Sequence, residues 1–378
     1  MRSYHLAMII LGLAASLAQA DPSTEKVDAF VSQQLQSRHI PGISVGILQD
    51  GKVLLATGFG FGNVELSTPA TADTVYGVMS MTKQFTAAAI LMLADENKLA
   101  LDDQIGKYVS DAPTVWNDVT IRHLLTHTSG IPDYTDAPGF FQAIRTDSTP
   151  QELIQPLKSK PLQFPPGTKW RYSNTNYYLL GIIIEKASGA SFGRFIDARI
   201  FQPAGMAASR LNDLTDVIPN RASGYQWIGE NVDRPPTVVT GYHGRKNVLQ
   251  NAIYISPTRL WAAGGAVSSV NDLIRWEQTL AAGKLLKAET VQEMSRACKL
   301  PDGKETEYGF GNELGVIKGH HFSGHQGSGV GFNSSLLRLD DDHITVIVLC
   351  NQTSAPSLPI AMQIAGIFVP DLQGIVPQ

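Results

Sequence analysis

Apolar positions along the chain fall into two periodicities, and their order predicts the architecture. Ile43-Ser-Val-Gly-Ile-Leu48 and Val53-Leu-Leu-Ala-Thr57 are apolar runs joined around Asp50-Gly51, a strong β-hairpin signal. From Met81 to Asn97 the chain is free of Gly and Pro and rich in Ala, Leu and Met, which predicts a helix. A second helical stretch from Asn176 to Ser188 stops at Gly189, a residue suited to the position after a helix end. A third runs from Val270 to Ala281, with Ser269 or Asn271 as its cap. Strand patterns return after residue 305, at Tyr308 to Val316, Gly331 to Leu339 and Ile344 to Cys350, the last two joined by Asp340-Asp341-Asp342. Ala355 to Phe368 reads as a closing helix. Strands at both ends with helices between them predict an α+β fold. One antiparallel sheet comes from the N- and C-terminal parts, about 21–78 and 256–378, and a mostly helical region at about 79–255 is inserted between them.

The first 20 residues follow a different rule. Arg2 gives a positive start, Leu6 to Leu17 is an apolar run of 12 residues, and Ala18-Gln19-Ala20 is a small-x-small cleavage pattern. Twelve apolar residues fall short of the ~20 that span a bilayer, so residues 1–20 are expected to be a cleaved signal peptide. No later run reaches spanning length, and the expected destination is the periplasm or the exterior. Oligomeric state is open.

Composition adds exclusions. The 378 residues carry 30 Lys+Arg against 34 Asp+Glu, a net charge of −4, which offers no basic stripe for nucleic acid. With 43% hydrophobic residues the chain can fill a core. Two cysteines are too few for a disulfide scaffold or a Cys-based metal site. Export would permit Cys298 and Cys350 to pair, but Cys350 ends an apolar run and reads as a buried thiol, which favours two free cysteines.

The candidate chemistry starts at Ser80-Met81-Thr82-Lys83, at the head of the first predicted helix. At i and i+3 the two side chains share a helix face, so the lysine amine can reach the serine hydroxyl. A serine is a weak nucleophile until a neighbouring base takes its proton, and a lysine serves as that base only when its pKa is lowered. Tyr172-Ser173-Asn174 follows the turn-rich Phe164-Pro-Pro-Gly167, which would present it on a loop. Gly324-His325-Gln326-Gly327 precedes a predicted strand, where the imidazole would face a groove and the small Gly327 would let a substrate approach the backbone.

These motifs, in this order, resemble the serine β-lactamase and penicillin-binding protein superfamily. The similarity is strongest to the group of class C β-lactamases, secreted D-alanyl-D-alanine carboxypeptidases, D-aminopeptidases and family VIII esterases. It extends over about residues 27–368, with support from His123-Leu-Leu-Thr-His-Thr-Ser-Gly130, Ala263-Gly-Gly-Ala-Val-Ser-Ser269 and Gly331-Phe332. The resemblance implies that Ser80 is the acylated nucleophile and Lys83 its activating neighbour. Tyr172 would be the general base, its phenol pulled down by nearby cations, and Asn174 would hold the substrate amide or order the lysine. The backbone N–H groups of Ser80 and Ser328 would form the oxyanion hole, with His325 and Gly327 lining the substrate site. His325 departs from the lysine that class C β-lactamases place at this point, which weakens the expectation of β-lactam hydrolysis and leaves acyl transfer intact.

Other motifs were weighed. Gly189-Ala190-Ser191-Phe192-Gly193 matches a nucleophile elbow, which requires a strand before it and a helix after it; Ser191 in a Ser-Asp-His esterase is therefore a rival nucleophile. Gly46 to Lys52 nearly forms a P-loop, but Val53 stands where Ser or Thr is required. His123 with His127, and His320-His321 near His325, form no complete zinc motif. The expectation is an exported serine hydrolase acting on a small amide or ester without metal or organic cofactor. The alternative from another class is a penicillin-recognising protein that acylates without turnover.

Overall fold

The computed structural model describes residues 22–229 and 247–374. The expected leader, residues 1–20, lies outside the described residues. The chain enters on helix α1 (Pro22–Arg38), which the sequence patterns did not indicate. Its apolar stripe is sparse, yet Val27 and Val31, one turn apart, are fully buried.

The hairpin forms as expected from β1 (Gly42–Gln49) and β2 (Lys52–Asn63). Asp50 and Gly51 both take positive φ, +50° and +74°, the left-handed pair that a two-residue hairpin turn requires. This turn also disposes of the P-loop resemblance, because no helix follows it. β3 (Thr68–Pro69) extends one sheet edge. Helix α2 (Thr82–Asp95) comes next, then the short α3 (Ile121–Leu125) and α4 (Asn174–Ser188), which ends at Gly189 with φ +73°. Helix α5 (Val270–Ala281) is capped by Ser269, whose hydroxyl accepts from the Asp272 amide.

Four strands return at the C-terminal end: β4 (Glu313–Ile317), β5 (His320–Gly329), β6 (Phe332–Leu339) and β7 (Ile344–Cys350). One expectation is corrected here and another extended. The strand expected at Tyr308 to Val316 starts only at Glu313, because the chain bends at Gly311 (φ +74°) and leaves Tyr308 as a buried plug. The segment 324–327 does precede the expected strand, here β6, and itself lies within a further strand, β5, that the patterns did not indicate. Helix α6 (Ser357–Phe368) closes the chain.

The seven-stranded sheet has the order β3-β2-β1-β7-β6-β5-β4, and the pairs β1–β2, β1–β7, β6–β7, β5–β6 and β4–β5 are antiparallel. β1 therefore lies beside β7, with Ile43 opposite Cys350. One sheet face packs on α1 and α6 through Ile43, Val45, Val346 and Ile364. The other meets the helical layer through Leu48, Leu336, Ile347 and Leu349. Cys298 and Cys350 are both free, as the sequence favoured, and burial raises the Cys350 thiol pKa. Among the described residues no helix is long and apolar enough to cross a membrane.

Candidate active site

Ser80 sits in a single 3-10 turn, Met79–Met81, that leads into α2. Met79 holds φ at +49°, a left-handed conformation that costs a non-glycine residue about 1 kcal/mol and is retained where the surroundings enforce it. The enforcement comes from β5 and β6. The Ser334 hydroxyl donates to the Val78 carbonyl at 2.7 Å. A Cβ on Gly327 would stand 2.2 Å from that carbonyl oxygen and 2.5 Å from Ser334 Oγ. Gly327 is thus glycine so that β5 can lie against the serine turn, and the expectation that it clears a path for substrate is corrected.

Lys83, in the first turn of α2, is fully buried. Its Nζ lies 3.2 Å from Ser80 Oγ, 2.9 Å from Asn174 Oδ1 and 2.7 Å from the Ala263 carbonyl oxygen. Burial pulls the amine down to about 7, against the opposing fields of Asp133 and Glu313. In its neutral form the nitrogen has two hydrogens and one lone pair. The Asn174 and Ala263 oxygens can only accept, so they take both hydrogens, and the lone pair is left for the Ser80 hydroxyl. Asn174 is held in this orientation by Asp133, which accepts from the Asn174 amide at 2.8 Å and from Nδ2 at 3.1 Å. Asn174 opens α4 itself, two residues earlier than the helix expected at Asn176, so Tyr172 is on the loop and Asn174 is not.

The Tyr172 ring lies 4.8 Å from Lys83 Nζ. Burial holds this phenol well above its ordinary value, and the fields of Glu313 and Asp133 add to the rise. The expectation of a phenol lowered by cations is corrected: Tyr172 stays protonated, and of these two side chains it is Lys83 that is poised near neutrality.

His325 is 2% exposed, and its environment corrects another expectation. Nδ1 lies 2.5 Å from the Gln326 carbonyl oxygen, to which it donates, and Nε2 lies 2.8 Å from the Tyr308 hydroxyl, from which it accepts. Burial, reinforced by Lys83, pushes the imidazole down to about 3. It is a neutral brace beneath the site rather than an imidazole facing a groove. His127 is similar: Nδ1 accepts from the Ser173 amide at 3.2 Å and from Asn176 Nδ2 at 3.0 Å, and burial keeps the ring neutral. His123 closes the capping box of α3 with Thr120, while His320 and His321 pair with Asp342 and Asp341.

Ser80, Asn174 and Ser328 line one groove of about 390 Å³, with Tyr134, Phe140, Phe141, Ile144, Leu260 and Val330 forming apolar walls. β5 pairs with β4 only as far as Gly324, so its edge at Ser328 is open on that side. Ser191 is absent from this groove. It is an exposed N-cap preceded by α4 rather than by a strand, so the elbow context is missing.

Three site residues were missed in the sequence. Asp133 orients Asn174, Tyr308 holds His325, and Glu313 lies with Oε1 3.7 Å from His325 Nδ1. Burial raises the Glu313 carboxyl to about 7, opposed by hydrogen bonds from Gln326 and by Lys83. Only Asp133 left a trace, three residues beyond the Gly130 that ends one of the supporting stretches.

Several known proteins are similar to this chain. Penicillin-binding protein 4* of Bacillus subtilis is 31% identical over 333 residues, covering 85% of this chain and 70% of that protein. A D-aminopeptidase of Gluconobacter oxydans is 28% identical over 92% of this chain, which spans 62% of that enzyme's length, under two thirds. Among solved structures, the octameric penicillin-binding protein homologue from Pyrococcus abyssi superposes with a TM-score of 0.77 at 33% identity, over 92% of this chain and 77% of that one. The fold is thus the β-lactamase and transpeptidase type, an antiparallel sheet flanked by helices. Residues 27–365 match the family described as Beta-lactamase, and the chain belongs to that family.

Proposed function

We propose that the protein is an exported serine hydrolase that turns over a small amide or ester through an acyl-enzyme on Ser80. The observation that carries this reading is the buried Lys83 amine, 3.2 Å from Ser80 Oγ and bonded to the Asn174 and Ala263 oxygens, so that its neutral form presents its lone pair to Ser80. In the acylation step Ser80 Oγ gives its proton to Lys83 Nζ and forms a bond to the substrate carbonyl carbon. The carbonyl oxygen takes the negative charge and accepts hydrogen bonds from the backbone N–H groups of Ser80 and Ser328, a stabilisation worth on the order of 3 kcal/mol per donor. Collapse breaks the bond to the leaving group. Tyr172 hands its hydroxyl proton to that group and is reprotonated from the Lys83 ammonium. Water then attacks the ester carbonyl and passes a proton to Lys83 by the same route; collapse breaks the bond to Ser80 Oγ, which takes that proton back from the Lys83 ammonium, and a carboxylic acid is released.

The apolar groove walls favour a substrate with an uncharged aliphatic or aromatic group next to the reacting carbonyl. The relatives named a penicillin-binding protein and a D-aminopeptidase support amide or β-lactam carbonyls as reactants. Export rests on the leader pattern of residues 1–20.

The test is incubation of the mature protein with a fluorescent penicillin and a short-chain p-nitrophenyl ester, followed by mass mapping of the label. Label on Ser80 with ester turnover is the expected result. Stable label without turnover identifies a penicillin-recognising protein instead. Turnover that survives Ser80→Ala and is lost in Ser191→Ala overturns the assignment.

A further inference from the structure

Behind the serine turn lies a second cavity, more enclosed than the groove and about 150 Å³ in volume. Its walls include Val75, Ala222, Ala252, Val267 and Phe332, with the polar Asn212 and Tyr254 and the exposed Arg221 also on its lining. Met79, Ile255, Leu260, Gly264 and Val330 line both this cavity and the groove that holds Ser80. The two spaces thus adjoin and share these residues as a common wall.

Met79 is the movable member of that wall. Its side chain runs past three glycines. A Cβ on Gly327 would stand 2.9 Å from Met79 Cβ, one on Gly329 would stand 2.6 Å from Sδ, and one on Gly77 would stand 2.8 Å from Cε. The thioether therefore lies in a slot that exists because these residues lack side chains. A methionine has three rotatable bonds and no branch, which suits a partition that can swing aside.

We propose that the cavity behind Met79 is a second subsite of the active groove, which receives the distal part of an aliphatic acyl chain when the Met79 thioether moves out of its slot. The inference rests on Ser80 carrying the acyl group. A carbonyl bonded to Ser80 Oγ lies one residue from the partition. A short acyl chain stays within the groove, and a longer one must either turn back to solvent or pass Met79.

The experiment is a p-nitrophenyl ester series from acetyl to decanoyl, read as kcat/KM for each chain length. Ala252→Leu adds volume at a half-buried position of the rear cavity and is expected to lower the decanoyl-to-acetyl ratio about tenfold or more, the effect of losing apolar pocket contacts. Met79→Ala opens the partition and is expected to raise that ratio, and the gain should vanish in the Met79→Ala/Ala252→Leu double variant. Met79→Leu, similar in volume but stiffer, should lower the ratio. An unchanged ratio in Ala252→Leu, with Ser80 still labelled by a fluorophosphonate, overturns the subsite while leaving the nucleophile intact. Absence of label on Ser80 together with normal ester turnover overturns the Ser80 reading, and the subsite with it.

Discussion

Lys83→Met should abolish turnover and at the same time stabilise the fold. The wild-type amine is lowered from 10.5 to about 7 by complete burial. At ~1.4 kcal/mol per unit, that is a penalty of about 5 kcal/mol on the charged form. Near neutrality about 4 kcal/mol of it separates the folded chain from the unfolded one. Methionine removes this cost and leaves the Asn174 and Ala263 oxygens without a donor, at about 1 kcal/mol each, so the net gain is about 2 kcal/mol. The sign of the pH dependence is fixed. Between about pH 7 and 10.5 the unfolded chain holds the lysine proton and the folded chain does not, so wild-type stability rises with pH. Below about pH 7 both states are protonated, and the penalty is present in full. The advantage of the methionine variant is therefore largest in mild acid and should shrink by about 2 kcal/mol between about pH 7 and pH 9. Urea denaturation of both proteins across that range measures it. A stability difference that stays constant with pH would falsify the claim that Lys83 is buried as a near-neutral amine.

Further expectations follow from the same geometry. kcat/KM should rise with pH through about 7 as Lys83 loses its proton, and Glu313→Gln should keep that limb, because Glu313 shares the same range; a limb that disappears assigns it to Glu313. Tyr172→Phe should lower kcat by a factor of about 10²–10⁴, the usual contribution of a proton-transfer group, with unfolding unchanged; wild-type turnover in this variant removes Tyr172 from the relay. His325→Lys would bury a second ammonium within the field of Lys83 and should cost about 3–5 kcal/mol, read by denaturation; a variant as stable as wild type shows that the position is solvated. Gly327→Ala should destabilise by at least about 1–3 kcal/mol through contact with the Val78 carbonyl, and a neutral effect argues against the close approach of β5 to the serine turn.

What was legible in the sequence was what depends on neighbours along the chain. The Asp50-Gly51 hairpin, the Ala- and Leu-rich α2, the Gly189 stop and the apolar β7 are local patterns, and all four formed. Helix α1 escaped because its few apolar residues sit among polar ones, and it is held by the sheet rather than by its own pattern. β5 escaped because its Gly-, Ser- and His-rich segment has little strand character, and it is paired by β4 and β6. The site divides in the same way. Ser80, Lys83, Tyr172 and Asn174 stood in short motifs, and the fold brings them together. His325 was misread as facing the groove because burial is a property of the packed sheet. Tyr308 and Glu313 matter through His325, on a neighbouring part of the sheet, and no motif marks them, while Asp133 matters through Asn174 and left only its place three residues beyond Gly130.

The pairing of β1 with β7 sets the order in which the molecule can be assembled. Ile43, Val45 and Ile47 leave synthesis early, but the strand they lie against is made about 300 residues later, a separation that slows folding by its loop-closure entropy. Until β7 arrives, the central strand has one free edge and an uncovered apolar face, the state in which chains stick to one another. A polypeptide arrested or cut before Ile344 therefore cannot close its sheet. Ser80 and Lys83, made in the first quarter of the chain, lie beside a turn that is packed against β5 and β6, strands made more than 230 residues later.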